Sequence, residues 1–302
     1  MKQYLIVLFV TLVAWMAGTP ALAALNVFAC EPEWGALARE LGGERVKVYD
    51  ATTAFQDPHR VEARPSLLAA VRRADLLVCA GAELEVGWLP ILLRESGNGN
   101  IQSGRPGHVE AAQWARLIER PSVLDRSMGD VHAAGNPHLH LDPRNIAQVA
   151  TVLAERLAQV DGANAGYYAA RQWDFRTRWE AAMQRWEREA MPLQGVPVAV
   201  HHKNWGYLLG WLGMREGMVL EPKPGVDPSL AYLAELVARL KSAPVKMVLR
   251  TAYQSPKPSQ WVAEKAGIPA VELPFTVGGS ERAQDLFGLF DDTIARLLQA
   301  LR

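Results

Sequence analysis

The chain has 302 residues, of which 49% are hydrophobic and 21% charged, with 24 Gly and 19 Pro. That is a globular profile, too apolar for a disordered chain, and at roughly 100–200 residues per domain the length suggests two domains or lobes. Lys and Arg total 32 and Asp and Glu total 32, so a nucleic-acid binder, which needs a basic excess to neutralise phosphates, is set aside.

Met1-Lys2-Gln3 supplies one positive charge, and 4–17 is an almost unbroken apolar run. Gly18-Thr19-Pro20 then breaks any helix, and Ala21-Leu22-Ala23 has the small-x-small pattern of a cleavage site. Residues 1–23 are expected to be a secretory signal peptide cut after Ala23. The run is short for a membrane anchor, which needs roughly 20 apolar residues. No Cys follows the cleavage site, so no lipid anchor is expected, and the mature protein should be periplasmic.

Beyond the leader, short apolar runs alternate with helical patterns. Strands are predicted over 25–30, 46–51 and 76–81, and helices over 34–41, 65–74 and 85–93. Strands alternating with helices argue for a parallel sheet covered on both faces. Helices are next predicted over 145–160 and 164–190. In the second of these, Tyr168, Phe175, Trp179, Met183, Trp186 and Ala190 share one face, an aromatic stripe that reads as core. A second α/β set follows, with strands at 197–202, 245–250 and 270–273 and helices at 205–212, 226–241 and 280–301. The expected architecture is α/β in two lobes, each a mostly parallel sheet flanked by helices, bridged by a long rigid helix. The expected boundaries are 24–160 for the first lobe, 161–192 for the linking helix and 193–302 for the second lobe.

Cys30 and Cys79 both end predicted strands. In an exported protein they could pair, if those strands are neighbours, or could stand as two small buried hydrophobes. No CxxC indicates a redox motif or a cysteine zinc site.

The residues that could carry chemistry are histidines at element ends. His59 lies in Gln56-Asp57-Pro58-His59, after the second strand. His138 and His140 lie in Asn136-Pro137-His138-Leu139-His140-Leu141-Asp142-Pro143, and His201-His202 end the first strand of the second lobe. In open α/β sheets ligands bind beyond the carboxyl ends of strands, so histidines from both lobes would converge there. Neutral imidazoles suit zinc, which takes nitrogen donors at about 2.0–2.1 Å in fourfold coordination. Against this stands the plainer reading of separate surface or packed histidines.

Asp57-Pro58-His59, Arg64-Pro65-Ser66, Ala74-Asp75-Leu76-Leu77-Val78 and Gly81 with Glu85 and Trp88 resemble the first lobe of the metal-binding substrate-binding proteins of zinc and manganese ABC importers. Asn136-Pro137-His138 with Leu141-Asp142-Pro143 is similar to that family's second ligand segment, and His202-Lys203-Asn204-Trp205-Gly206-Tyr207 to its third. The resemblance covers nearly the whole mature chain. It implies two α/β lobes joined by a long helix, with metal held between them by His59, His138 and His202. It also implies an ABC transporter permease as partner, a monomer, and no enzymatic reaction.

The chain departs from the family in two places. Where the resemblance implies a fourth ligand, an Asp near the end of a late strand, the sequence reads Val271-Glu272-Leu273-Pro274. Glu272, His140 or a water is left to fill the position. The His-rich loop of many zinc members is reduced to Gly129-Asp130-Val131-His132; His132 could serve as a low-affinity capture ligand, and is expected instead to be a polar loop residue. Three imidazoles without a carboxylate favour Zn²⁺ over Mn²⁺, a hard ion that prefers oxygen donors.

Two other readings stand beside the carrier. One is an exported zinc-dependent hydrolase using the His138-x-His140-x-Asp142 string, although no Glu stands beside the ligands as in HExxH. The other is a binding protein for a non-metal ligand, with an anion at Gly278-Gly279-Ser280.

Overall fold

The computed structural model describes residues 24–122, 129 and 131–302; the leader expected at 1–23, and Asp130, lie outside the described residues. The first sheet contains β1 (Leu25–Ala29), β2 (Val46–Asp50), β3 (Leu76–Cys79) and β4 (His108–Glu110) in the order β2-β1-β3-β4, all parallel. The second contains β5 (Pro197–Val200), β6 (Arg215–Val219), β7 (Val248–Thr251) and β8 (Ala270–Leu273), again parallel, in the equivalent order β6-β5-β7-β8. In both, the first strand of the lobe is central and the chain winds outward to either side of it. That is the doubly wound plan that opens a crevice at the carboxyl ends of the strands.

Helices cover both sheets. The first lobe carries α1 (Pro32–Gly42), α2 (Pro65–Arg73) and α3 (Leu89–Ser96), followed after β4 by α4 (Pro143–Val160). The second carries α6 (Gly206–Leu212), α7 (Leu230–Leu240), α8 (Pro256–Ala266) and α9 (Leu286–Leu301). Pro32, Pro65, Pro143 and Pro256 each open a helix, where the missing N–H costs nothing and the fixed φ suits the first turn.

The strand pleat sorts side chains into three apolar layers. Val27, Ala29, Leu76 and Val78 of the first sheet and Val198, Val200 and Leu249 of the second face inward and belong to one continuous core. The alternate residues face outward: Phe28 and Leu77 pack with Leu67, Val71 and Trp88, and Ala199 and Val248 pack with Leu233, Leu236 and Val262. The long helix α5 (Ala165–Glu189), about 37 Å at 1.5 Å per residue, packs on α1 and α4 of the first lobe and on α9 of the second. Its stripe of Tyr168, Phe175, Trp179 and Trp186 is fully buried in the shared core. Two indoles on this helix also reach out by hydrogen bonds: Trp179 Nε1–H donates to the Pro143 carbonyl at 2.8 Å and Trp186 Nε1–H to Asp291 Oδ1 at 2.5 Å.

Cys30 and Cys79 form a disulfide, their Cα atoms 4.8 Å apart. β1 and β3 are parallel neighbours, with Phe28 opposite Leu77, so the two carboxyl ends bring the sulfurs together.

Several elements differ from the predicted ones. β4 and β6 are edge strands with little apolar pattern, His-Val-Glu and Arg-Glu-Gly-Met-Val, and the sequence gives them no strand signal. The helix predicted from 226 starts at Leu230, because Ser229 caps it by accepting the Tyr232 N–H at 3.2 Å. The last helix starts at Leu286 rather than 280, behind Asp285, whose carboxylate accepts the Gly288 N–H. A cap fixes a helix start more strongly than the apolar period does.

Candidate metal centre

His59 lies on the loop between β2 and α2. The loop is pinned by Trp88, a buried indole whose Nε1–H donates to the Pro58 carbonyl at 3.1 Å. Asp57 Oδ1 accepts the His59 backbone N–H at 3.0 Å and pairs with ring Nδ1 at 2.8 Å. With the proton on Nδ1, Nε2 carries the lone pair that can serve as a metal donor. Burial alone would raise the Asp57 carboxyl; the hydrogen bonds and charge of His59 outweigh it and hold that carboxyl below its usual range.

His202 follows β5 and repeats the device from the other lobe. Its Nδ1 pairs with Glu221 Oε2 at 2.6 Å, and the same oxygen accepts the Gly225 N–H at 2.8 Å. Glu221 is in reach because β6 runs parallel to β5, so both strands end at the same edge. The two loops also touch across the lobes, where Arg60 Nη2 donates to the Gly225 carbonyl at 3.1 Å.

His138 is the most enclosed of the three, at 2% exposure. Asn136 Oδ1 accepts its backbone N–H at 2.9 Å, and the Asn136 amide in turn donates to Glu119 Oε2 at 3.1 Å. Its Nδ1 is buried without a hydrogen-bond partner. Burial first, then the neighbouring imidazoles of His59 and His202, hold the His138 pKa well below the ordinary histidine range. A buried, neutral imidazole with an orphaned nitrogen is costly in an apolar setting unless something electrophilic occupies the space beside it.

One ring nitrogen from each of His59, His138 and His202 lies within 4.8 Å of the others. The ring centroids are 5.3 Å apart for His59–His138, 6.0 Å for His59–His202 and 6.3 Å for His138–His202. Nitrogens bound to one tetrahedral zinc stand about 3.3–3.4 Å apart, given bonds of about 2.0–2.1 Å, so the three rings would have to draw closer to share one ion. A cavity of about 430 Å³ meets the cluster at His138 and His202, and one of about 290 Å³ meets it at His59 and His202.

The remaining candidate residues are placed elsewhere, with one exception. His140 Nε2 bonds to the Phe275 carbonyl at 2.9 Å and its Nδ1 lies 3.1 Å from Glu33 Oε1, near in distance but without hydrogen-bond geometry, with the Phe275 ring packed between His140 and His138. Asp142 caps α4 and pairs with Arg144, so the three polar residues of the His-x-His-x-Asp string face three different partners. Glu272 forms an ion pair with Arg250 on the neighbouring strand. His201 is buried, and burial lowers its pKa, but it is not part of the three-nitrogen group. The backbone N–H groups of Gly278 and Gly279 donate to the carbonyls of Ala283 and Thr276, leaving no anion cradle there. The partial exception is His132, expected to be a polar loop residue: its Nε2 lies 3.2 Å from His59 Nε2, although it too falls outside the three-nitrogen group.

The sequence alone did not reveal the carboxylate partners of the His59 and His202 rings. Asp57 is two residues before His59 in the chain and its pairing was legible in principle. Glu221 lies 19 residues from His202, on an edge strand the sequence does not announce.

Residues 27–300 match the family described as zinc-uptake complex component A, periplasmic. The chain is 25% identical over 251 residues to the high-affinity zinc uptake system protein ZnuA of Paracoccus denitrificans, covering 72% of this chain and 73% of the relative. It is 19% identical over 296 residues to the manganese ABC transporter substrate-binding lipoprotein PsaA of Streptococcus anginosus, covering 93% and 91%. A crystal structure of ZnuA superposes with a TM-score of 0.75 at 23% identity, covering 92% of this chain and all of that one.

Proposed function

The chain belongs to the family of periplasmic zinc-uptake complex component A proteins, and from that premise we propose that it captures Zn²⁺ through His59, His138 and His202 and delivers it to an ABC transporter permease. The reading rests on one observation: imidazoles from three separate chain segments converge, two of them with Nδ1 on a carboxylate and the third buried and neutral. That donor set binds a metal cation and has nothing to offer an anion. Nitrogen donors without a carboxylate in the cluster favour zinc over manganese. The family includes relatives named for each metal, so the preference comes from the chemistry of the site.

The ion is cargo. Its ligands lie on loops between lobes whose proposed extents are 24–160 and 193–302, linked by 161–192. The chain is exported after cleavage at Ala23 and works as a monomer. A hydrolase would need a base set against a metal-bound water. The string that suggested one is dispersed, with His140 and Asp142 engaged away from His138.

Metal that binds only the folded chain stabilises it by mass action, about 2.7 kcal/mol at a hundred times Kd. Saturating zinc is therefore expected to raise the melting temperature by several degrees, and manganese at the same concentration by less. A melting temperature unchanged by zinc contradicts the reading.

A further inference from the structure

Three imidazoles leave one corner of a zinc tetrahedron open, and both Glu272 and His140 are engaged elsewhere. His132 is placed differently. The 3.2 Å between its Nε2 and that of His59 is close to the 3.3–3.4 Å edge of a nitrogen tetrahedron around zinc, given bonds of about 2.0–2.1 Å. The two rings are 5.2 Å apart between centroids, a separation like that of His59 and His138. His132 also lines the cavity of about 430 Å³ that His138 and His202 face.

The segment carrying His132 is held from both lobes. On the first-lobe side, the Ala133 N–H donates to Glu83 Oε2 at 2.6 Å, and the Gly135 N–H closes a turn onto the His132 carbonyl at 3.1 Å. Glu83 and Ala82 both have positive φ, 67° and 50°, a conformation that side-chain-bearing residues seldom adopt and that aims the carboxylate at this segment. On the second-lobe side, Gly129, at φ +87°, lies so close to Pro224 that a Cβ would stand 2.2 Å from its carbonyl oxygen.

We propose that His132 is the fourth ligand, completing an all-imidazole tetrahedral site, and that Glu83 is the positioning residue that holds its segment in place. This rests on the three-histidine reading and deepens it. Four neutral nitrogens suit an ion with no geometric preference of its own, such as Zn²⁺, and leave Mn²⁺ without the oxygen donors it favours.

The test compares wild type, His132→Ala, Glu83→Ala and Glu83→Gln by zinc affinity, by zinc-edge X-ray absorption and by the visible spectrum of the Co²⁺-loaded protein. Wild type is expected to show four nitrogen neighbours. His132→Ala should bind zinc at least about tenfold more weakly, with oxygen replacing one nitrogen and a changed Co²⁺ spectrum. Glu83→Ala should weaken binding in the same direction and by no more than His132→Ala does, because Glu83 accepts the Ala133 N–H and acts only through the segment that carries His132. Glu83→Gln keeps an acceptor for the Ala133 N–H and should restore both affinity and spectrum. One tight zinc bound through three nitrogens and a water, with His132→Ala unaffected, overturns the inference and leaves the three-histidine site standing. A wild type that binds no zinc tightly removes both, and is recognised before any substitution is made.

Discussion

At the scale of single residues, what leaves one imidazole nitrogen available to the proposed metal is whatever occupies the other. Asp57 does this for His59 and Glu221 for His202, and burial does the equivalent for His138 by keeping protons away. The sign at His138 follows from linkage. Its folded proton affinity is below that of the unfolded chain, so its contribution to stability is full above about pH 6.5 and is lost as pH falls from there. Zinc competes with protons at every imidazole it binds, so affinity is expected to fall as pH is lowered from 8 to 5.5. Chelator competition across that range checks it, and a flat profile contradicts an imidazole site. His59, His138 and His202 were legible in the sequence through the family's motifs; positions at element ends alone left His140 and His201 equally open. His132 stood out only as the remnant of a His-rich loop, since a lone histidine in a polar loop has no defined place until the turn at Gly135 and the contact of Gly129 with Pro224 bring its segment to the cluster.

At the scale of elements, the sequence announced the central strands, the edge strands β2 and β8 that carry apolar residues of their own, and those helices with an apolar stripe. β1, β3 and β5 are nearly continuous apolar runs, as central parallel strands should be. The edge strands β4 and β6 are not, and α8 hides behind Pro-Lys-Pro-Ser-Gln, because an edge or surface element needs only one apolar face. The pairing of Cys30 and Cys79 depended on which strands are neighbours, a fact of topology that spacing alone leaves open. The bond spans a sequence separation of 49 residues between two central strands. Replacing both cysteines by Ala is expected to cost about 2–4 kcal/mol of stability, read as a lower denaturant midpoint with zinc affinity retained. An unchanged midpoint would show that the crosslink adds nothing to the folded state.

At the scale of the whole molecule, the two sheets share one core instead of meeting across a wet cleft. Val27 and Val78 of the first sheet, Val200 and Leu249 of the second, and the α5 stripe belong to the same buried cluster. Polar contacts join the lobes as well: Thr276 donates to Glu33, which also pairs with His140. Swinging the lobes apart would expose this apolar surface, so capture and release are expected in the ligand loops instead of in a wide hinge. Site and fold are thereby coupled, since His59, His138 and His202 reach one point only when both lobes and the segment between them are in place. The most direct measurement is the stoichiometry and affinity of zinc by chelator competition, for wild type beside His59→Ala, His138→Ala and His202→Ala. One tight site per chain is predicted, weakened in each variant by more than the roughly 10–100-fold that follows loss of a ligand's hydrogen-bond partner. Tight binding that survives all three substitutions would contradict the assignment.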